Sequence, residues 1–275
     1  MNARAVAAWS GACLVIVLTT SNPAYKAAVL CAAFTVLAAT AGLRRMRRLL
    51  LSVALVGFFD VLLNFMSAHL GLTVLFTVPY AVPAFGGTYT VEGLAFGVSG
   101  ALTIAAALLA AAPFSLLLAP HDVMDALPRV LASTGTAIAA SLNLVPSIAR
   151  SFTDVAEAQR MRGWRPRGPG SWAEVLVPVV LTGAEGSIQL AESMEARGFG
   201  SGPRTAYQRP RLGRSGRFVI AGAAVAVAGF LASRAAGWAV DWYAYPALQA
   251  PAIDPRPLVA CLFLFAPVMA WRRRG

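Results

Sequence analysis

Two short stretches of this sequence carry the same pattern. Glu157-Ala158-Gln159-Arg160-Met161-Arg162-Gly163-Trp164 and Glu192-Ser193-Met194-Glu195-Ala196-Arg197-Gly198-Phe199 each run Glu, four residues, then Arg-Gly-aromatic. A glycine after an amphipathic run ends a helix, because the position just past the end often needs a left-handed backbone. An arginine in that last turn is favoured by the helix dipole. Ordinary helix caps would account for either copy alone. Two copies with matching flanks point instead to a pair of equivalent docking tips, since a guanidinium offers a carboxylate a planar, bidentate partner. The candidate tip residues are Met161, Arg162 and Gly163 in the first copy and Ala196, Arg197 and Gly198 in the second. Glu157, Gln159, Arg160, Glu192 and Glu195 are the supporting residues on the same helices. Two tips imply two acidic grooves, and so a dimeric or pseudo-dimeric partner.

No other constellation suggests catalysis or a metal site. Asp60 and Asn64 share a helix face four residues apart. An intramembrane carboxylate is a functional candidate, but no second ionisable group accompanies it, and it reads as a polar clamp to a neighbouring helix. Glu185 and Glu192 are expected to pair with nearby arginines. His69 and His121 are isolated, and Cys13, Cys31 and Cys261 lie far apart in apolar runs, as small buried hydrophobes do. No resident metal or cofactor is expected. No Gly-x-x-x-x-Gly-Lys-Ser/Thr motif is present, so the chain is expected to be no ATPase itself and not an enzyme.

The elements that must carry the tips follow from composition. The chain is 58% hydrophobic and only 13% charged, against about a quarter charged in soluble domains. Lipid must therefore replace water over much of its surface. Apolar runs at about 5–20, 25–43, 49–68, 93–118, 217–236 and 257–271 are near the roughly 20 residues that a span needs, the first and last being short. Arg4 before the first run resembles a secretory signal, but the absence of a small-x-small cleavage site favours a retained first helix. The stretch 70–85 is interrupted by Pro79 and Pro83 and followed by Gly86-Gly87, which predicts a partial or re-entrant segment.

With 23 basic residues against 12 acidic ones, a soluble protein would suggest nucleic acid as a partner. Here the positive-inside rule accounts for the excess, and no nucleic acid is expected. With the N-terminus cytoplasmic, every basic residue except Lys26, Arg234 and Arg256 falls on the cytoplasmic side. Six spans with both termini inside the plasma membrane's cytoplasmic face follow. The outer loop 240–256, with Trp242, Tyr243 and Tyr245, has the composition of an interfacial cap.

The chain thus divides into N-terminal spans (1–118), a basic cytoplasmic region (119–216) and C-terminal spans (217–275). From Asp122 to Arg167, apolar residues recur at helical spacing: Leu127, Val130, Leu131, Ile138, Leu142, Val145, Ile148, Phe152 and Val155. Pro146 is expected to bend or break this run. A second helix is expected from about Trp172 to Arg197. Helices of this kind lie on a membrane surface or against a partner. The fold class is all-α: a polytopic membrane protein of about six transmembrane helices plus long amphipathic cytoplasmic helices.

At this point the sequence resembles a family, the T component of energy-coupling factor (ECF) transporters, or CbiQ-like proteins. The likeness is carried by the two Arg-Gly tips, by Asn64-Phe65-Met66 with Gly71 and Leu75-Phe76, and by Gly86-Gly87 with Thr90-Val91-Glu92. It extends to Leu144-Val145-Pro146 ahead of the first tip and is strongest over Ala191–Gly200. Met161 departs from the small residue common in the first motif. The resemblance implies a coupling subunit with no ATPase of its own. Two ABC ATPase subunits would each bind one Arg-Gly tip. A substrate-binding S component in the bilayer would rest on the apolar face of the same helices and deliver a vitamin or metal ion. The alternatives are a permease subunit of a conventional ABC importer, with one cytoplasmic coupling loop, and an intramembrane enzyme, for which Asp60 alone is insufficient.

Overall fold

In the computed structural model, residues 2–79, 86–118, 132–199, 201–202 and 212–271 are described. The described residues are mostly helical, and the chain divides into two compact units, residues 1–126 with 211–275, and residues 127–210.

The first unit contains α1 (Ala3–Thr19), α2 (Pro23–Thr40), α3 (Leu43–Ser67), a hairpin of β1 (Val74–Val78) and β2 (Gly87–Thr90), and α4 (Val91–Leu117). It is completed by α7 (Arg214–Ala235), α8 (Pro255–Leu262) and α9 (Ala266–Trp271), the last two joined by a 3-10 turn at Phe263–Phe265. The local signals are ordinary ones. Asn2, Asn22, Thr90 and Asp254 cap their helices with side-chain oxygens, and Pro23 and Pro255 stand at first turns, where a missing N–H costs nothing.

The core of this unit is built around α1. Trp9, Ile16, Tyr25, Leu37, Phe230 and Leu264 are each fully enclosed, and the Tyr25 and Phe230 rings meet edge to face at 5.8 Å. The Trp9 Nε1–H donates to the Leu264 carbonyl at 2.8 Å, so the 3-10 turn between α8 and α9 is held by the one polar atom of a buried indole. In contrast, α3 leaves Leu51, Leu55, Phe58, Phe59 and Leu63 exposed. An apolar face on a helix of this length is a surface for lipid or for another membrane protein.

Among the described residues, five helices are long and apolar enough to cross a membrane: Pro23–Thr40, Met46–Ser67, Val91–Leu117, Gly170–Ala196 and Arg214–Ala235. The first and last expected spans are shorter, at Ala3–Thr19 and Pro255–Trp271. Gly170–Ala196 was expected to be an amphipathic surface helix. Its most apolar 18 residues have a mean hydropathy of 1.2, the lowest of the five, and Glu174, Glu185, Glu192 and Glu195 punctuate the helix.

The stretch 70–85 differs from expectation. In place of a re-entrant segment, β1 and β2 form an antiparallel hairpin with a register shift between Val74 and Phe76. Its Val-Leu-Phe-Thr-Val run is β-branched and aromatic, which favours extended backbone over helix; Pro83 lies outside the described residues. The hairpin is fastened to α4. The Glu92 carboxylate accepts from the Thr73 amide at 3.1 and 3.3 Å, and Thr90 donates to the Leu70 carbonyl at 2.7 Å. Gly71, at φ +140°, makes this possible, since a Cβ there would stand 2.5 Å from a Glu92 carboxylate oxygen.

The second unit is a helical hairpin of α5 (Ala132–Met161) and α6 (Ala173–Ala196), joined through a 3-10 turn at Pro169–Trp172. The expected start of α5, with Leu127, Val130 and Leu131, lies outside the described residues. Pro146 does not break α5, which runs 30 residues through it. Helix-forming sequence continues on both sides, so the proline removes one backbone hydrogen bond without ending the helix.

Candidate functional site

Both repeated segments end their helices in the same hydrogen-bond pattern. At the first tip, Gly163 N donates to the Arg160 carbonyl at 3.0 Å and Trp164 N to that of Gln159 at 3.0 Å. At the second, Gly198 N donates to Glu195 at 2.8 Å and Phe199 N to Met194 at 2.9 Å. This paired closure is the Schellman motif, which places the glycine in the left-handed region; Gly163 has φ +87° and Gly198 φ +77°.

The cap alone does not make a docking tip. A third copy closes α7, where Gly237 N donates to Arg234 and Trp238 N to Ser233. At the position of Arg162 and Arg197 this cap carries Ala236, and its nearest cation is already paired. Arg234 is held by Asp241 through two bonds of 2.8 and 2.9 Å. Arg162 and Arg197 are exposed, and among the described residues neither makes an ion pair or a side-chain hydrogen bond. Met161 is 84% exposed; Gly163, Ala196 and Gly198 are exposed as well. A Cβ on Gly163 would meet nothing within 4 Å, so a partner's backbone has room to approach.

The supporting residues divide. Glu157, Arg160, Glu192 and Glu195 are exposed. Gln159 is half-buried, and its Nε2 donates to the Glu174 carbonyl at 3.4 Å. That bond fastens the end of α5 to the start of α6, while Gly183 lies opposite the Ile148 side chain further along. The two helices are therefore antiparallel, and the tips stand at opposite ends of the hairpin. The length of α6 separates them by about 35 Å at 1.5 Å per residue.

The aromatic residues of the two copies are not equivalent. Phe199 is 46% exposed, whereas Trp164 is 9% exposed. Trp164 Nε1 donates to the Ser171 carbonyl at 3.0 Å, its ring meets Trp172 edge to face at 5.3 Å, and it packs with Ala156, Val175 and Val179. The expected guanidinium-and-aromatic tip is thus a guanidinium alone at the first copy, where the aromatic holds the hairpin together. Along both helices Ile138, Val145, Val177, Val180, Leu181 and Ile188 remain exposed, an apolar surface that the hairpin does not itself cover.

Several other expectations are corrected. Glu185 and Glu192 make no ion pair among the described residues. Asp60 makes no hydrogen bond to a neighbouring helix: Asn64, on its own helix, donates to its Oδ1 at 3.2 Å, and Oδ2 is buried without a partner. Cys31 is exposed, while Cys13 and Cys261 are buried. His69 belongs to the β-hairpin, its Nδ1 lying 3.3 Å from the Thr88 carbonyl.

Sequence reasoning gave no role to Lys26, Arg234 and Arg256. Arg234 pairs with Asp241, and Arg256 lies over the Trp238 ring at 4.0 Å. Lys26 is 7% exposed and reaches Ser99. Their signal was that each is a lone cation at the edge of an apolar run.

The described residues form a multi-pass helical membrane protein with a helical hairpin that carries two exposed arginine caps. The chain belongs to the CbiQ family, described as cobalt transport protein, whose model matches residues 1–207. No curated protein sequence matches the chain.

Proposed function

We propose that the chain is the transmembrane coupling subunit of an ECF-type ABC importer, which carries motion from two ATPase subunits to a substrate-binding membrane subunit. The carrying observation is the pair of like caps with unpaired guanidiniums at opposite ends of one antiparallel hairpin. Tips about 35 Å apart cannot share one groove; they suit two grooves on a paired motor. Each guanidinium would meet a carboxylate of its groove, and Gly163 and Gly198 would let the backbones approach. When the ATPases close, the ends of α5 and α6 are drawn relative to each other. The exposed apolar residues of both helices are the surface on which an S component would rest and tilt. The carboxylates spread along α6, including Glu185 near its middle, favour this surface role over a membrane crossing, where each would be costly to bury. The cargo is a cobalt ion, by the family, or another metal ion or vitamin, held by the S component. ATP is hydrolysed by the partners, not by this chain, and both termini face the cytoplasm.

Charge reversal tests the reading. Arg162→Glu and Arg197→Glu should each weaken co-purification of the ATPases in mild detergent and abolish uptake, with membrane insertion unchanged. A conventional permease with one coupling loop would lose function at one tip only. If neither reversal changes ATPase association or uptake, the tips are helix caps and nothing more.

A further inference from the structure

A cavity of about 370 Å³ opens where α1 ends and α2 begins, lined by Lys26, Arg234, Asp241, Thr20, Thr103 and Leu18 among others. Its charges do not balance. Asp241 is already engaged, accepting both bonds from Arg234 and a third from Ser21 Oγ at 3.0 Å. Lys26 has no carboxylate within ion-pair distance among the described residues. Its Nζ donates to Ser99 Oγ at 3.1 Å and the Ser99 carbonyl at 3.4 Å, which accounts for two of an ammonium's three donors. A cation so enclosed is normally paired. The Thr20 hydroxyl accepts from the Asn22 amide at 3.2 Å, leaving its own proton to donate.

The cavity also has an apolar margin. Leu18 is 71% exposed and Val15 40%, one turn apart on the same face of α1. Tyr243, at the rim, is 67% exposed, in the amphipathic position that aromatics take at headgroup level. Volumes of this size accommodate small ligands.

We propose that this cavity binds the phosphodiester headgroup of an anionic lipid, with Lys26 as its cation, Thr20 as a second donor, and an acyl chain along Leu18 and Val15. The proposal is independent of the coupling role assigned to the arginine tips.

The test uses delipidated full-length protein in detergent, followed by thermal unfolding during titration with three probes: dioleoyl phosphatidylglycerol, dioleoylglycerol and inorganic phosphate. Phosphatidylglycerol should raise Tm saturably and above the response to dioleoylglycerol. Lys26→Met should lose that increment, its apparent affinity falling about tenfold or more. Thr20→Val keeps the charge and should weaken binding by a smaller factor, which serves if Lys26→Met does not fold. An equal increment from inorganic phosphate would overturn the lipid assignment in favour of a free anion. The same phosphatidylglycerol increment in wild type and both variants would overturn the site, leaving Lys26 as a tie between α2 and α4.

Discussion

Trp164 is where the repeated pattern and the fold diverge most, and truncating it should open the α5–α6 hairpin while truncating its counterpart Phe199 should not. Trp164→Ala removes an indole that is 9% exposed and packs on Ala156, Val175 and Val179. Large-to-small changes of this kind cost about 3–5 kcal/mol. Trp164→Phe keeps most of the ring and forfeits the 3.0 Å bond to Ser171, about 1 kcal/mol. Phe199 is half exposed, so Phe199→Ala should cost about 1 kcal/mol. Hydrogen exchange by mass spectrometry on the full-length protein in micelles reads these differences at the amides of α5 and α6. With tenfold per 1.4 kcal/mol, Trp164→Ala should accelerate exchange at the α5 end and α6 start by about two to four orders of magnitude. Trp164→Phe and Phe199→Ala should each change it by about tenfold or less. Equal exchange in Trp164→Ala and Phe199→Ala would refute the reasoning, because the two aromatics would then be equivalent after all.

Two further outcomes concern the opposite loops and the strand hairpin. The hydrogen bonds from Arg234, and then that from Ser21, hold the Asp241 carboxyl below the usual carboxylate range. This pair therefore stabilises the fold fully above the ordinary carboxylate pKa of about 4 and stops doing so as pH falls through the depressed value. Both groups are about a third exposed, so the effect is below about 1 kcal/mol; the Tm gap between wild type and Asp241→Asn should shrink from pH 7 to pH 3, and a constant gap would count against it. Gly71→Ala forces a side chain into positive φ and against Glu92, and should cost about 1 kcal/mol or more, read as faster exchange at the Thr73 and Val91 amides, with unchanged exchange as the contrary result.

Much of this was legible in the sequence because its signals are long and local. Apolar runs gave the helices of the first unit, and glycines after amphipathic runs located both helix ends to the residue. The β-hairpin escaped because its strand 74–78 is apolar on both faces and so lacks the alternation that marks a strand beside water. Pro146 was expected to bend or break the run; α5 is not broken there, because a proline's effect depends on whether helix resumes beyond it, which no local rule decides. The roles of Trp164 and Lys26 were invisible for another reason. Trp164 owes its burial to Val175 and Val179 across a turn, and Lys26 finds Ser99 across 73 residues of chain. Burial of this sort belongs to tertiary packing, and periodicity carries no trace of it.

The three Schellman caps sharpen what a repeated motif can mean. Backbone geometry is common to Gly163, Gly198 and Gly237, so it follows from ending a helix and says nothing of partners. What separates the first two from the third is the residue before the glycine, Arg162 and Arg197 against Ala236; the nearest cation of the third cap, Arg234, is held by Asp241, while Arg162 and Arg197 make no ion pair among the described residues. A guanidinium is always charged and rich in donors, and under the proposed role each exposed one would meet a carboxylate from elsewhere. Under the proposed coupling role, Gln159 and Trp164 would clamp the end of α5 to the start of α6 and make the hairpin a lever, so that a pull on one guanidinium would be felt along both helices rather than dissipated in a loose loop.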